Sequence, residues 1–149
     1  MKIPCFVRAC LGTAVIAASP VWAQAPKPPD LSGADPHWIY DPHSKCWAGD
    51  PDPHDGETIA WEGKCDGGLV SGFGTLTWYR GGRIDGRDIG TFAAGILSGR
   101  GKIIDGDGTV FEGEFPGRGV LTLPDGRTLE AVTVREEAGW SIEQAPPVP

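Results

Sequence analysis

Histidine, cysteine and basic residues are scarce in this chain of 149 residues, and the scarcity excludes several classes of function. The three histidines all precede residue 56, so none lies in the glycine-rich region that follows, and a catalytic triad is not expected there. The 13 lysines and arginines are outnumbered by 20 aspartates and glutamates, and the formal net charge is −7. Nucleic acid is not an expected partner, because binding to phosphates relies on a basic surface. Binding to an anionic lipid surface is not expected for the same reason.

Long apolar runs are also missing, and the run at the amino terminus is short. Lys2 and Arg8 accompany the apolar segment 10–19, and Ala23 ends a Val-Trp-Ala sequence that suits signal-peptide cleavage. The segment is too short to span a bilayer, which takes about 20 apolar residues. The sequence therefore predicts a signal peptide over residues 1–23, cleavage near Ala23, and a periplasmic or secreted protein.

Four cysteines occur in the chain, and cleavage of the signal peptide would leave Cys46 and Cys65. Exported proteins fold in an oxidising compartment, where two cysteines at this separation most simply form a disulfide. A metal pair and a redox pair are the alternatives, although the close Cys-x-x-Cys spacing that favours them is missing. The disulfide would close a loop and contribute about 3 kcal/mol to stability.

Glycine, in contrast, is abundant and regularly spaced, with 19 of the 23 glycines between residues 56 and 126. Shifting residues 61–78 by 27 positions superposes four pairs of glycines: Gly63 and Gly90, Gly68 and Gly95, Gly72 and Gly99, Gly74 and Gly101. A shorter third copy contains Phe111, Gly113, Gly117 and Gly119, and a fourth begins near residue 125. Self-similarity at a period of about 20 to 30 residues predicts a repeat array.

Polar and apolar residues alternate with a period of two inside the copies, which predicts half-buried strands. In the third copy Phe111, Gly113 and Phe115 would share the buried face, while Glu112 and Glu114 would face water. Turn formers separate the strands at 66–68, 81–82, 105–108, 116–117 and 124–126. Each copy is therefore expected to be a β-hairpin, and the glycines within its strands indicate close backbone approach and a curved sheet.

The order aromatic-x-Gly, turn, Gly-x-Gly-x-Leu/Ile and Asp-Gly resembles the MORN repeat (membrane occupation and recognition nexus). The segments FEGEF, GRGVLTLPDG and WEGKCDGGLVSGFGTLTW carry the resemblance, which covers about residues 57–131 and places Trp61 and Phe111 at aromatic positions. In the middle copy Asp88 departs from it, since an aromatic residue is expected there. The resemblance implies an all-β fold of stacked β-hairpins that form one elongated, curved sheet, and it does not by itself fix an activity.

The segments on either side complete the predicted organisation. Residues 24–45 are a Pro-rich linker and cap segment, and Trp38, Ile39, Tyr40 and Trp47 would pack onto the first hairpin. Residues 46–143 are the predicted β-hairpin repeat domain, joined to this amino-terminal cap by the disulfide. Residues 144–149 are predicted to be a disordered tail.

All three histidines, His37, His43 and His54, follow an Asp-Pro pair. Imidazole and carboxylate groups can ligate a divalent ion. However, Asp-Pro is also a turn former, and the spacing of the histidines matches no compact ligand pattern. The glycine-rich segments also do not have the residue order of a phosphate-binding loop. The sequence therefore predicts no metal and no other cofactor.

These features favour an exported, non-catalytic interaction or scaffold module that docks a protein in the cell envelope. One alternative is a carbohydrate-binding module with an exposed row of tryptophans such as Trp61 and Trp78, although their inward repeat positions favour a place in the core. The other alternative is a small hydrolase, which needs a pair of carboxylates in a cleft. Glu112 and Glu114 are such a pair in sequence, but on the outward face of a strand.

Overall fold

The computed structural model describes residues 38–136 and 139–146, which form ten β-strands. The strands are β1 (Trp38–Asp41), β2 (Cys46–Gly49), β3 (Glu57–Asp66), β4 (Leu69–Arg80), β5 (Arg83–Ala93), β6 (Ile96–Asp105), β7 (Val110–Phe115), β8 (Arg118–Thr122), β9 (Thr128–Glu136) and β10 (Gly139–Gln144). The predicted signal peptide with Ala23, the linker up to His37 and residues 147–149 lie outside the described residues.

All ten strands belong to one sheet, whose order is β1-β2-β4-β5-β6-β7-β8-β9-β10, with β3 paired to β4. Each strand from β3 to β10 pairs antiparallel with the next one along the chain. The exception to this arrangement is β2, which meets β4 in parallel at Trp47 and Leu69. The fold is therefore all-β, in a single curled and open sheet, and the prediction is confirmed at this level.

A row of residues without side chains crosses the sheet perpendicular to its strands. Consecutive register partners in this glycine row are Gly74, Gly90, Gly101, Gly113 and Gly119, and the row ends at Ala131. Apolar side chains lie directly over the row: the indole of Trp61 over Gly74, Leu97 over Gly90 and Gly101, and the Phe111 ring over Gly113 and Gly119. Because these glycines have no side chains, the apolar side chains of the inner face can pack directly against the backbone of the sheet.

Two further glycines bend the strands. Gly72 and Gly99 have φ of 75° and 72°, a left-handed conformation that favours glycine. Each lies beside an irregularity in strand pairing, at Glu62/Lys64 for the β3–β4 ladder and at Gly90/Thr91 for the β5–β6 ladder. Such bulges increase the local twist, which gives the curvature that the glycine content predicted.

The core lies on the inner, concave face of the curl. Trp61, Phe92, Phe111 and Phe115 are all buried there. The rings of Trp61 and Phe92 are 4.8 Å apart and those of Phe111 and Phe115 are 5.3 Å apart, both in edge-to-face contact. The inward and outward faces of β7 are as predicted, because Gly113 is buried with the two phenylalanines and both glutamates are exposed.

The amino-terminal cap is the β1–β2 hairpin, which includes residues on both sides of the expected boundary at residue 46. The Cys46–Cys65 disulfide joins it to β3, as predicted. Asp41 makes the second connection, because its buried carboxylate accepts the backbone N–H of Trp61 at 2.9 Å and that of His43 at 2.9 Å. Burial raises the pKa of Asp41, but these hydrogen bonds together hold it below its usual value.

The pairing of β10 with β9 extends into the segment 144–149, which was predicted to be a disordered tail. Gln144 pairs with Ala131, and the N–H of Ala145 donates to the carbonyl of Glu130 at 2.9 Å. These residues are ordered because their backbone donors and acceptors find partners on β9.

Candidate functional site

Asp88 is the polar member of a row of apolar residues on the inner face of the sheet. Consecutive register partners across the strands are Trp61, Leu76, Asp88, Ile103, Phe111, Leu121 and Leu129. The row is parallel to the glycine row and contributes much of the core. Trp61 and Phe111 lie over the glycines of their own hairpins, whereas in the β5–β6 hairpin Leu97 takes that place. Asp88 instead lines an opening on the inner face of the sheet.

The opening is a cavity of about 400 Å³, which is within the usual volume range of small-ligand pockets. We call it the acidic cleft. The loop between β2 and β3 forms one side, the ends of β4, β5 and β6 form its base, and β10 closes the other side. It is lined by Asp50, Pro51, Asp52, His54, Glu57, Trp78, Arg80, Asp85, Gly86, Asp88, Ile103, Ile104, Asp105, Trp140 and Ile142.

Two half-buried indoles in the lining are held in place by hydrogen bonds. Nε1–H of Trp78 donates to Oδ2 of Asp88 at 3.0 Å, and Nε1–H of Trp140 donates to the carbonyl of Leu97 at 2.8 Å. The guanidinium of Arg135 lies 5.1 Å from the Trp140 ring centre, within cation–π range. Both rings are therefore fixed with part of their apolar surface toward the cleft.

Negative charge exceeds positive charge in the lining, which contains six carboxylates and one guanidinium. Arg80 pairs with Asp85 at 2.9 Å. His54 lies 3.7 Å from Asp52 and its backbone N–H donates to Glu57 at 3.3 Å. One guanidinium and one imidazole cannot neutralise six carboxylates, so the cleft is a region of negative potential.

The pKa values of three cleft carboxylates are raised, mainly by loss of hydration and further by neighbouring carboxylates. Loss of hydration raises the pKa of Asp88 to about 7, against the hydrogen bond from Trp78 and with a contribution from Asp105. The pKa of Asp105 is raised by loss of hydration and then by the charges of Asp107 and Asp85. Loss of hydration and the charge of Asp50 raise the pKa of Glu57. At neutral pH Asp88 is therefore present in both protonation states.

The structure separates the two tryptophans that the sequence suggested as a stacking row. Trp61 is buried in the core with 4% of its surface exposed, because its ring lies over Gly63 and Gly74. Trp78 is on the next strand and lines the cleft. The indole that accompanies it there is Trp140, which is distant in sequence.

The carboxylate pair visible in the sequence is not in a cleft. Glu112 is on the outer face of the sheet, where its carboxylate lies 3.2 Å from the Lys102 ammonium and 3.9 Å from the Arg100 guanidinium. Glu114 is exposed on the same face. The cleft carboxylates come instead from the β2–β3 loop, β3, β5 and β6.

The Asp-Pro-His sequences are divided by the fold. His54 lines the cleft, His43 is exposed in the β1–β2 turn, and His37 lies outside the described residues. Within residues 38–136 and 139–146, no group of three or more histidine, cysteine, aspartate or glutamate side chains is arranged to hold a metal ion. The same part of the chain contains no helix with the length and apolar character to cross a membrane.

Comparison with protein-family models, with curated proteins and with solved structures finds no match to this chain. The repeat pattern of the sequence and the geometry of the acidic cleft are therefore the two sources for a functional assignment.

Proposed function

We propose that this chain is an exported, non-catalytic interaction module built from MORN-like repeats, and that it docks a protein partner through the acidic cleft. The observation that carries the proposal is the position of Asp88. A carboxylate stands at the position that Trp61 and Phe111 occupy in the neighbouring hairpins, and it lines an open cavity with aromatic and charged walls. A residue chosen only for packing would be apolar at this position.

The interpretation as repeats is supported by corresponding geometry in successive hairpins. Gly68 and Gly95, which the shift of 27 residues superposes, have φ of 81° and 84°, and Gly72 and Gly99 have φ of 75° and 72°. One apolar side chain lies over two glycines in each of the β3–β4, β5–β6 and β7–β8 hairpins, from the first strand for Trp61 and Phe111 and from the second strand for Leu97. Stacked repeats of this kind provide an extended curved surface that typically serves for binding.

A protein partner is favoured by the size and charge of the surface. The cleft opens between the β2–β3 loop and β10 and contains fixed aromatic rings, which are frequent anchors at protein interfaces. Its negative potential would attract a basic region of a partner and accelerate association. The predicted signal peptide places the encounter in the cell envelope or outside the cell. Nucleic acid and membrane lipid are not proposed as ligands, because both are anionic.

The proposal can be tested by capture from an envelope fraction with two variants of matched charge change. Asp105→Lys reverses a charge at the cleft, and Glu114→Lys makes the same change on the outer face. We expect the wild type and Glu114→Lys to retain the same partner and Asp105→Lys to lose it, with all three proteins equally folded by circular dichroism. Retention of the partner by Asp105→Lys would contradict docking at the cleft, and loss by Glu114→Lys would point to the outer face instead.

A second candidate function is favoured by the titration of Asp88. A carboxyl group with a pKa of about 7, in a cleft with other carboxylates and two tryptophans, has the property required of the general acid in glycoside hydrolysis. Turnover of a cell-wall polysaccharide by the wild type and its loss in Asp88→Asn would establish this candidate. Saturable binding of the polysaccharide without turnover would instead indicate a carbohydrate-binding module that uses Trp78 and Trp140.

A further inference from the structure

We propose that the acidic cleft binds the side chain of an arginine or lysine of the partner protein, with the cationic group beside Asp88 and the methylene stem against Trp78 and Trp140. This inference rests on the proposed function and specifies the chemistry of the docked group. It follows from three properties of the cleft: its dimensions, its apolar walls and its uncompensated charge.

The cavity volume of about 400 Å³ is sufficient for one long side chain and its flanking backbone. The indoles of Trp78 and Trp140 and the side chains of Ile103 and Ile142 give the lining its apolar part. Arginine and lysine combine a methylene stem that packs on apolar surface with a terminal charge that seeks acceptors. Tryptophan rings are also the preferred aromatic partners of cations.

The charge distribution selects a cation over an anion or a neutral group. Asp88 is on the base of the cleft, and its Oδ2 accepts a single hydrogen bond of 3.0 Å from Trp78. The other charged and titratable groups that line the cleft are Asp85 and Arg80, which pair with each other, Asp105 on β6, Glu57 on β3, and Asp50, Asp52 and His54 of the β2–β3 loop. An ionised carboxylate has several acceptor sites, so Asp88 retains capacity for a cationic donor. Guanidinium would suit these acceptors best, because its donors form a planar fork.

The titration of Asp88 gives this proposal a distinctive consequence. A cation stabilises the ionised form, so binding should release a proton wherever Asp88 is still protonated in the ligand-free protein. Affinity should therefore rise with pH up to about 7, where Asp88 titrates, and level off above it. Asp105, Asp85, Glu57, Arg80 and, from the β2–β3 loop, Asp50, Asp52 and His54 line the same space. Asp105 and Glu57, whose pKa values are also raised, will contribute in the same direction.

The experiment is a titration of the ¹⁵N-labelled full chain with the peptide acetyl-Gly-Gly-Arg-Gly-Gly-amide and with its citrulline counterpart, which has nearly the same shape and no charge. The indole N–H resonances of Trp78 and Trp140 report on the cleft. We expect both to shift with the arginine peptide, with an affinity at least about tenfold higher than that of the citrulline peptide. The affinity should increase between pH 6 and pH 8.

Two cleft variants and one control accompany the titration. Asp88→Asn keeps an oxygen for the Trp78 hydrogen bond, and we expect it to weaken arginine-peptide binding at pH 8 by at least about fivefold and to flatten its pH dependence. Asp105→Asn should weaken binding in the same direction. Asp66→Asn removes the same charge from the exposed end of β3 and should change the affinity by less than about twofold.

Equal affinity for the two peptides, or shifts confined to residues outside the cleft, would overturn the inference. The result also separates this inference from the proposed function. If partner capture is lost in Asp105→Lys but the arginine peptide does not bind, the partner docks at the cleft through another chemistry. If capture is insensitive to Asp105→Lys, the proposed function itself fails.

Discussion

Gly113 lies directly opposite Gly119 in the β7–β8 ladder, and the ring of Phe111 lies over both. A Cβ atom added to Gly113 would be 2.5 Å from Cα of Gly119 and 2.6 Å from the carbonyl oxygen of Arg118. Backbone atoms cannot yield as a flexible side chain can. This pair therefore shows why the sheet needs glycine in the row beneath its core side chains.

Replacement of Gly113 by valine should destabilise the fold, because the new side chain must displace the facing strand and the Phe111 ring. We expect a loss of about 3 kcal/mol or more in the free energy of unfolding, measured by urea denaturation. The control is Glu114→Val, the same new residue at the exposed neighbouring position, which should change stability by only about 0.5 kcal/mol. Equal denaturation midpoints for the two variants would mean that close packing over the glycine row is not required.

The strands and the core could be predicted because their signals are local. Alternation in VFEGEF assigns the faces of β7, and the pairs Gly67-Gly68 and Gly81-Gly82 mark two hairpin turns. The turn between β5 and β6 has weaker chemistry, because Ala94, with φ of 49°, precedes Gly95. Its position follows only from the 27-residue shift that superposes Gly95 on Gly68. The disulfide could be predicted because cleavage of the expected signal peptide would leave only two cysteines, in a protein exported to an oxidising compartment.

The cleft could not be predicted, because its parts are brought together by curvature. Trp140 of β10 reaches Leu97 of β6, which is 43 positions earlier in the chain, and no local pattern indicates this contact. The β2–β3 loop joins the site in the same way, with Pro51 against Gly139. The available signal was Asp88, an acidic residue 27 positions after Trp61, where the sequence self-similarity predicted an aromatic residue. Such breaks in a packing pattern are expected at functional sites.

Substitution of Asp88 by asparagine should stabilise the protein at neutral and alkaline pH. The pKa of about 7 in the folded state exceeds the ordinary value of 3.8, so between these pH values the folded protein binds more protons than the unfolded chain. Stability contributed by this group is thus lost as pH rises toward 7 and stays low above it. We expect Asp88→Asn to gain on the order of 2 kcal/mol at pH 8 and to approach the wild type near pH 4, measured by thermal or urea unfolding.

If Asp88→Asn is more stable than the wild type but binds the arginine peptide more weakly, the carboxylate contributes to binding and lowers the stability of the fold. A side chain that served only packing would not give this combination. Asp66→Asn, which removes an exposed carboxylate at the end of β3, is the control and should change stability at pH 8 by only about 0.5 kcal/mol. An Asp88→Asn variant less stable than the wild type at pH 8 would contradict the raised pKa.

Loss of the Cys46–Cys65 bond should destabilise the cap. The bond closes a loop of 19 residues, which corresponds to about 3 kcal/mol in the loop-closure account. We expect reductant, or the paired substitution of both cysteines by alanine, to lower the unfolding temperature. Peptide mapping of unreduced protein should recover the two cysteines in one linked fragment. Free, alkylatable thiols at both positions would show that the bond is not formed in the protein.

Asp41 should be the most sensitive polar residue of the cap. Its buried carboxylate accepts backbone N–H groups from Trp61 and His43, and alanine would leave these donors without an acceptor. We expect Asp41→Ala to cost about 2 to 4 kcal/mol. Because hydrogen bonds hold its pKa below the usual value, its contribution should be complete at neutral pH and decline as the pH falls through that lowered value. Unfolding of Asp41→Ala with wild-type stability would show that the cap does not depend on this connection.

Site-specific photo-cross-linking in the native cell envelope tests most directly whether the partner docks at the acidic cleft. Benzoylphenylalanine replaces Ile142, which lines the cleft, or Val120, which is 47% exposed on the outer face. We expect a defined adduct from position 142, its loss when Asp105→Lys is added, and no adduct from position 120. An adduct from position 120 alone, or one from position 142 that persists with Asp105→Lys, would contradict docking at the acidic cleft.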